Sequence, residues 1–550
     1  MTLRLLFICL AIIVFTCHYS FAKESHALRT TFVQAEKQVW QPNSQSYQAL
    51  YNQLHFYPLQ PYLDQRRLMD KIKLSDATEI EKFLHEYKGT PLDWPLRKKW
   101  LNYLAKRKRK ALFLKFFRAN SDAKLNCTKL LYQLDAGMPE QAILPLVSKW
   151  WLVGKSQDRV CDPLFKKWQQ AGYLTADIAW QRVAMAADGG KHTLIPYLTT
   201  LLPKEQQYLA TLWHKVRKDP AYITRLSRFT HYNDKEAQIF AYGLQRLVWR
   251  APNNAISTYH QGLAKFKLSK TTIAKINAKF ALALASKNHS KAGEWLAKVE
   301  EKHLDNNLMQ WKLANVLKTK DWSLILEALQ ELPKSKQENL QWQYWYAKSQ
   351  FELGETDKAT ALFTELATNR HYYGFLAASH LGQAVNLQDV PLSFTEEQKQ
   401  QAMTHPAAKR AFELFHLERF SQARKEWNYW LNQLPEQQRL IAAFIAYEKE
   451  WFDRPIFTLA KEGYLNDVAL RFPMAYADDI KSLSKKHNID ATWAFAIARR
   501  ESSFMRDAHS SVGAKGLMQI MPATAKQLEK KTISTRYLLN AKNNINLGTK

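Results

Sequence analysis

Apolar residues recur every three to four positions along most of the chain, in runs of about 10–15 residues parted by short polar breaks, with no convincing two-residue alternation. That period is helical, so the pattern predicts an all-α protein. Two stretches repeat a finer design: "QWQYWYAKSQFELGETDKATALFTELA" from Gln341 and "RAFELFHLERFSQARKEWNYWLNQL" from Arg410. Each reads as an aromatic-rich helix, a short turn, then an Ala followed four residues later by a large aromatic: Ala359 with Phe363, and Ala423 with Trp427. Small against large lets the two helices of a hairpin lie close, as in helical arrays whose neighbours supply each other's core. A superhelix, a solenoid of helical hairpins, is therefore expected over 23–385. "LGQAVNLQDVPLSFTEEQ" from Leu381 interrupts the pattern, and Pro473 in "LRFPMAY" interrupts it again. A small helical linker domain over 386–470 and a further domain over 471–550 follow from these breaks. Trp100, Trp150, Trp151, Trp249, Trp342 and Trp345 fall within amphipathic periods and are read as interhelical core rather than as sugar-stacking platforms. "AKRKRK" from Ala105 is read as a solvated turn between helices.

Composition narrows the setting. With 79 Lys and Arg against 50 Asp and Glu, the formal charge of +29 calls for acidic partners: nucleic acid, an anionic envelope polymer or an anionic membrane surface. The opening "MTLRLLFICLAIIVFTCHYSFA" has a basic Arg4, an apolar run from Leu5 to Cys17 and a small-x-small end at Ser20-Phe21-Ala22. This is the pattern of an export signal cleaved near Ala22, since a membrane anchor needs roughly 20 apolar residues. Signal peptide 1–22 and a periplasmic mature chain are the expectation, with peripheral contact to an anionic envelope surface and no nucleic acid as partner. Cys9 and Cys17 leave with the signal, and the remaining Cys127 and Cys161 show no zinc-like spacing, so in an oxidising compartment they are read as one disulfide. No metal motif and no phosphate-binding Gly loop is visible, and no cofactor is implied.

The chemistry gathers near the C-terminal end. Asp490 suits the N-cap of a helix in which Trp493, Ile497 and Glu501 are spaced by four and share a face. A carboxylic acid against a Trp and an Ile loses hydration of its charged form, which favours the protonated acid that can donate to a leaving glycosidic oxygen. Arg499 and Arg500 oppose this only if they turn toward it, and their positions on the helix face elsewhere. Gly513 and Gly516 then permit tight turns, and an extended "LMQIM" would put Gln519 and Met521 on one side, ahead of Pro522 at the first position of another helix.

"ARRESSF", "GAKGLMQIMPATA" and "NINLGTK" together resemble the catalytic domain of the lytic transglycosylases, lysozyme-like enzymes that cut the peptidoglycan glycan strand. "LRFPMAY" and the long exported helical region before it resemble the soluble members of that family. The resemblance implies that Glu501 is the sole catalytic acid/base. It would protonate the β-1,4 oxygen between N-acetylmuramic acid and N-acetylglucosamine, then deprotonate the muramoyl 6-hydroxyl, which closes on the anomeric carbon to give a 1,6-anhydro product. No second carboxylate is then needed, in contrast to ordinary glycosidases. Asp507 is the nearest alternative and sits in a turn. The resemblance further implies that Ser510, Gln519 and Met521 line the sugar groove; Ser502 buttresses the helix end, and His509 is an exposed loop residue.

In these enzymes a later helix carries an Ala-Tyr-Asn-Ala-Gly-Pro type segment, and this sequence stops at Lys550 before one. A partial lysozyme-like domain, from a fragment or a natural truncation, with weak or absent activity is therefore the expectation. The expected partners are peptidoglycan glycan strands, bound by a monomer. The competing reading is a non-catalytic envelope scaffold or glycan-binding protein with a vestigial catalytic domain.

Overall fold

In the computed structural model, residues 26–332 and 334–550 are described, and the expected leader 1–22, with Cys9 and Cys17, lies outside them. Helix follows helix throughout, and the extended pairing among the described residues is confined to two antiparallel bridges, His509 with Lys515 and Lys515 with Ile520. The starts are chemically marked: Asp122, Thr175, Asn233, Ser269, Asp305 and Asp321 each accept a backbone N–H from the first turn of the helix they precede. Among the described residues no helix is long and apolar enough to cross a membrane.

Both repeat-like stretches are helical hairpins. Leu340–Glu352 returns as Thr356–Ala367 through Gly354, and Pro406–His416 returns as Phe420–Leu431 through Glu418, each turn residue at positive φ. Ala359, Phe363 and Ala423 are fully buried, and Trp427 nearly so, as the small-against-large spacing requires. The tryptophans divide. Trp100, Trp151 and Trp342 are core, whereas Trp150 and Trp345 are half-buried and Trp249 is exposed. The basic run turns at 107–109 between the Asp93–Lys106 and Lys110–Phe116 helices, with Lys108 in the left-handed region.

The chain forms two compact units, one of Arg107–Asn386 and one that joins the residues up to Lys106 with Leu387–Lys550. In the first, a continuous core runs from Cys127 to Leu308, and Cys127 on the Ala123–Asp135 helix is disulfide-bonded to Cys161 across 34 residues. In the second, the earliest helices pack on the Pro406–His416 and Phe420–Leu431 hairpin. Arg29 donates twice to Glu413, which also accepts from the Tyr57 hydroxyl, and Arg419 and Arg66 both pair with Glu36. Burial alone would raise the Glu36 carboxyl, but the two guanidiniums outweigh it and hold the group below the ordinary value. Deeper in, the Tyr62 hydroxyl and Arg410 both donate to the fully buried Glu426, at 2.7 and 3.0 Å.

Candidate active site

Asp490 caps the Ala491–Ser502 helix by accepting from the Thr492 N–H at 2.7 Å. Ala494, Ala498 and Ser502 form its inward face, and the small alanines let it lie close to Ile480, Leu517, Met518 and Ile545. The Ser502 hydroxyl is buried and donates to the Ala498 carbonyl, so it completes the helix end. Ser503 and Phe504 then both take positive φ, 51° and 64°, turning the chain sharply while Phe504 enters the core. Glu501 therefore sits on the last helical turn, immediately before a strained reversal.

The stripe expected to wall Glu501 is open instead. Trp493 is 64% exposed, Ile497 is half-buried and Glu501 is exposed, because the alanine face, one position around the helix, is the one turned to the core. The arginines do face elsewhere. Arg499 donates to the Arg471 carbonyl at 2.9 Å and lies over Phe472, and burial followed by the nearby Arg471 lowers its affinity for the proton. Arg500 is exposed.

The segment after the reversal is a tight hairpin, not the extended strand the sequence suggested. Lys515 pairs with Ile520 through two backbone bonds, and Gly516 to Gln519 form the turn, with Gln519 at φ 48°. Leu517 and Met518 both point inward, which two-residue alternation forbids and a turn allows. What holds it is Asn544, fully buried, in the "NINLGTK" stretch. Its carboxamide accepts from the Met518 N–H at 2.8 Å and donates to the Lys515 and Leu538 carbonyls at 2.9 and 2.8 Å. Gly516, at φ 77°, has no room for a Cβ, which would lie 2.4 Å from the Asn544 amide nitrogen. The task of Asn544 was not expected from the sequence, where its signal is an Asn amid the apolar positions of the Ala541–Thr549 helix.

The expected groove residues sit on this hairpin and its approach. The Gln519 amide nitrogen donates to the Gly516 and Ala508 carbonyls at 2.9 and 3.3 Å, which leaves its carbonyl oxygen as the group to meet a sugar donor. The Ser510 hydroxyl accepts from the Ala514 N–H at 2.9 Å and keeps its own proton to donate. Met521 is 37% exposed and precedes Pro522 at the start of the Pro522–Glu529 helix. His509 is exposed, its ring nitrogen 2.8 Å from the Asp507 carbonyl. Asp507 is held by both terminal nitrogens of Arg424, one at 3.0 Å, and the adjacent Arg506 pairs with Glu418 and lies over Phe420. The reversal is thereby hooked to the hairpin before it. Beside these hooks lies a cavity of about 610 Å³ floored by Phe415, Trp451 and Tyr476, in which burial pushes the Tyr476 phenol up to about 12. Among the described residues no group of three or more His, Cys, Asp or Glu could hold a metal ion.

Comparison with known proteins decides what this arrangement belongs to. Residues 401–468 match the family described as "Soluble lytic murein transglycosylase L domain", and residues 478–550 match "Transglycosylase SLT domain". The X-ray structure of an inactive glutamate-to-glutamine mutant of the lytic transglycosylase Slt from Pseudomonas aeruginosa is 30% identical, with a TM-score of 0.79 over 94% of this chain and 85% of that one. This chain belongs to the soluble lytic murein transglycosylase family. The Escherichia coli K12 soluble lytic murein transglycosylase is 26% identical over 90% of this chain and 77% of its own length, and that of Salmonella typhimurium is 26% identical over 97% and 83%. In fold, the 70 kDa soluble lytic transglycosylase of Escherichia coli superposes with a TM-score of 0.83 at 24% identity, covering 95% of this chain and 85% of that one. The all-α architecture, superhelical with a lysozyme-like domain, is thus the one this family shares. The chain is a lytic transglycosylase acting on peptidoglycan.

Proposed function

We propose that Glu501 is the single acid/base of this enzyme, cleaving the β-1,4 bond between N-acetylmuramic acid and N-acetylglucosamine with formation of a 1,6-anhydromuramoyl end. The observation that carries this reading is the different fate of two neighbouring carboxylates: Glu501 is exposed at the end of its helix, while Asp507 is engaged by Arg424. A second carboxylate nucleophile or base is not offered by Asp507, which favours attack by the substrate's own 6-hydroxyl at high effective concentration. The inactivity of the Pseudomonas aeruginosa enzyme after a glutamate-to-glutamine change supports a single essential glutamate.

On this reading the exposed Glu501 is dried by the glycan itself. Sugar rings laid between Glu501, Trp493 and the 516–521 hairpin exclude water and supply the apolar cover that the free protein leaves off. Ser510 and the Gln519 carbonyl oxygen meet hydroxyl or acetamido groups, and Met521 packs against a ring. We place the enzyme's work in the periplasm, after removal of residues 1–22 and as a monomer on glycan strands.

The test is the product. Purified sacculi incubated with the protein should release 1,6-anhydromuropeptides, and Glu501→Gln should lower the rate by roughly 10²–10⁴-fold with the fold unchanged by circular dichroism. Products carrying an added water, or cleavage retained in the variant, would overturn the assignment.

A further inference from the structure

A second cavity, of about 500 Å³, lies wholly within the Arg107–Asn386 unit and has no part in the Glu501 chemistry. Its size falls in the ~300–1,000 Å³ range of small-molecule sites. The Ala123–Asp135 helix turns Asn126, Lys129 and Gln133 toward it at helical spacing, while Cys127 and Leu130 hold the other side of that helix in the core. Phe117 follows the Lys110–Phe116 helix and Trp150 lies on Ser148–Trp151, and both rings are half-buried and line the space.

The charge is one-sided. Lys129 lies 5.3 Å from the centre of the Phe117 ring and Lys149 is the same distance from that of Trp150, and among the described residues no carboxylate lines the cavity. The nearby acids are engaged elsewhere, Asp135 by Lys110 and Asp158 by Lys124. Gln133 carries a carbonyl oxygen that accepts nothing from the protein. Aromatic faces suit the C–H side of a sugar ring, carboxamides suit hydroxyl and acetamido groups, and two ammonium groups suit a carboxylate. No single one of these features selects a glycan; their meeting in one cavity, bordered by two lysines, does.

We propose that this cavity is a second binding site for an N-acetylated glycan bearing a carboxylate, holding a stretch of strand away from the catalytic groove. The proposal rests on peptidoglycan being the substrate but not on the role of Glu501. Trp150 and Phe117 carry the sugar, Gln133 with its unpartnered carbonyl oxygen meets an amide or hydroxyl group, and Lys129 with Lys149 the carboxylate, while Asn126 spends its amide N–H groups on Asn120 and the Asp122 carbonyl and holds the lining in place. The disulfide at Cys127 fixes the helix that presents three of these side chains.

Titration calorimetry of the full chain carrying Glu501→Gln, with glycan strands solubilised from sacculi, should show two classes of site. One should weaken at least tenfold in Lys129→Glu with Lys149→Glu, and in Trp150→Leu, while the control Lys191→Glu with Lys204→Glu, of equal charge change, leaves both intact. Strands stripped of their peptides by an amidase, which frees a muramoyl carboxylate at every amide it cuts, should keep or gain affinity for the second class only in the parent protein, where the lysines remain. Unchanged binding in the lysine pair, equal weakening in the control, or equal displacement by inorganic polyphosphate would overturn the proposal. Failure of the Glu501 assignment would appear separately, as cleavage of the strands during titration.

Discussion

Asn544 shows how much of the site depends on a residue with no chemistry of its own. One carboxamide ties the turn that presents Gln519 to the final helix, through three hydrogen bonds in a fully buried place. Asn544→Ala strands the Met518 N–H and two carbonyls, so stability should fall by about 1–3 kcal/mol in urea unfolding, with a larger fractional loss of activity than of folded protein. Equal losses in the two would mean that Asn544 only stabilises. The candidacy of Glu501 was legible because "ARRESSF" is followed at fixed distance by "GAKGLMQIMPATA". Its surroundings were not. A stripe of i, i+4 positions says which residues share a face, not whether that face or its neighbour meets the core, and three small residues won the contact here. The extended reading of "LMQIM" failed for a related reason, since Gln519 adopts a left-handed conformation that no alternation pattern encodes.

At the scale of elements, helix and hairpin were written plainly: period, the Asp490 cap, a short turn in each repeat-like stretch, and paired Ala and aromatic positions all pointed one way. Partnership between distant elements was not. Nothing in "QPYLDQRRLMD" announces that Tyr62 will donate to Glu426 beside Arg410. Burial, then the facing carboxylate, pushes the Tyr62 phenol up, which keeps it a donor at any working pH. Removing one member of this buried group leaves charge uncompensated, and Arg410→Ala should cost roughly 3–5 kcal/mol, whereas Tyr62→Phe, which keeps the pair, should cost about 1–3 kcal/mol. Denaturant midpoints of the two variants check the order. Loss of the Cys127–Cys161 bond by double Ser substitution should cost about 3–4 kcal/mol in the unit that holds it, from the 34-residue loop it closes.

For the whole molecule, several histidines lean the same way. His416, His405, His214 and His380 are all held below their ordinary value of 6.5, chiefly by burial and then by neighbouring cations: Arg29, Arg410, Lys218 and Lys348 respectively. The unfolded chain then binds more protons than the folded one just below pH 6.5, so stability falls as the pH drops through that window and is flat above it. Thermal midpoints measured from pH 8 to pH 5 should follow that shape, with a shallower acid limb in His416→Asn. The division of the chain has a consequence for its biosynthesis. The ribosome delivers Tyr62 long before Glu426, 364 positions later, so the earliest helices wait for their partner while the Arg107–Asn386 stretch is made. Closure of the other unit is a late, long-range event, slowed by the loop it must bridge. Until then the first-made segment is exposed to chaperones and proteases, and the Ala491–Ser502 helix stands on a support whose foundation was laid first and is joined last.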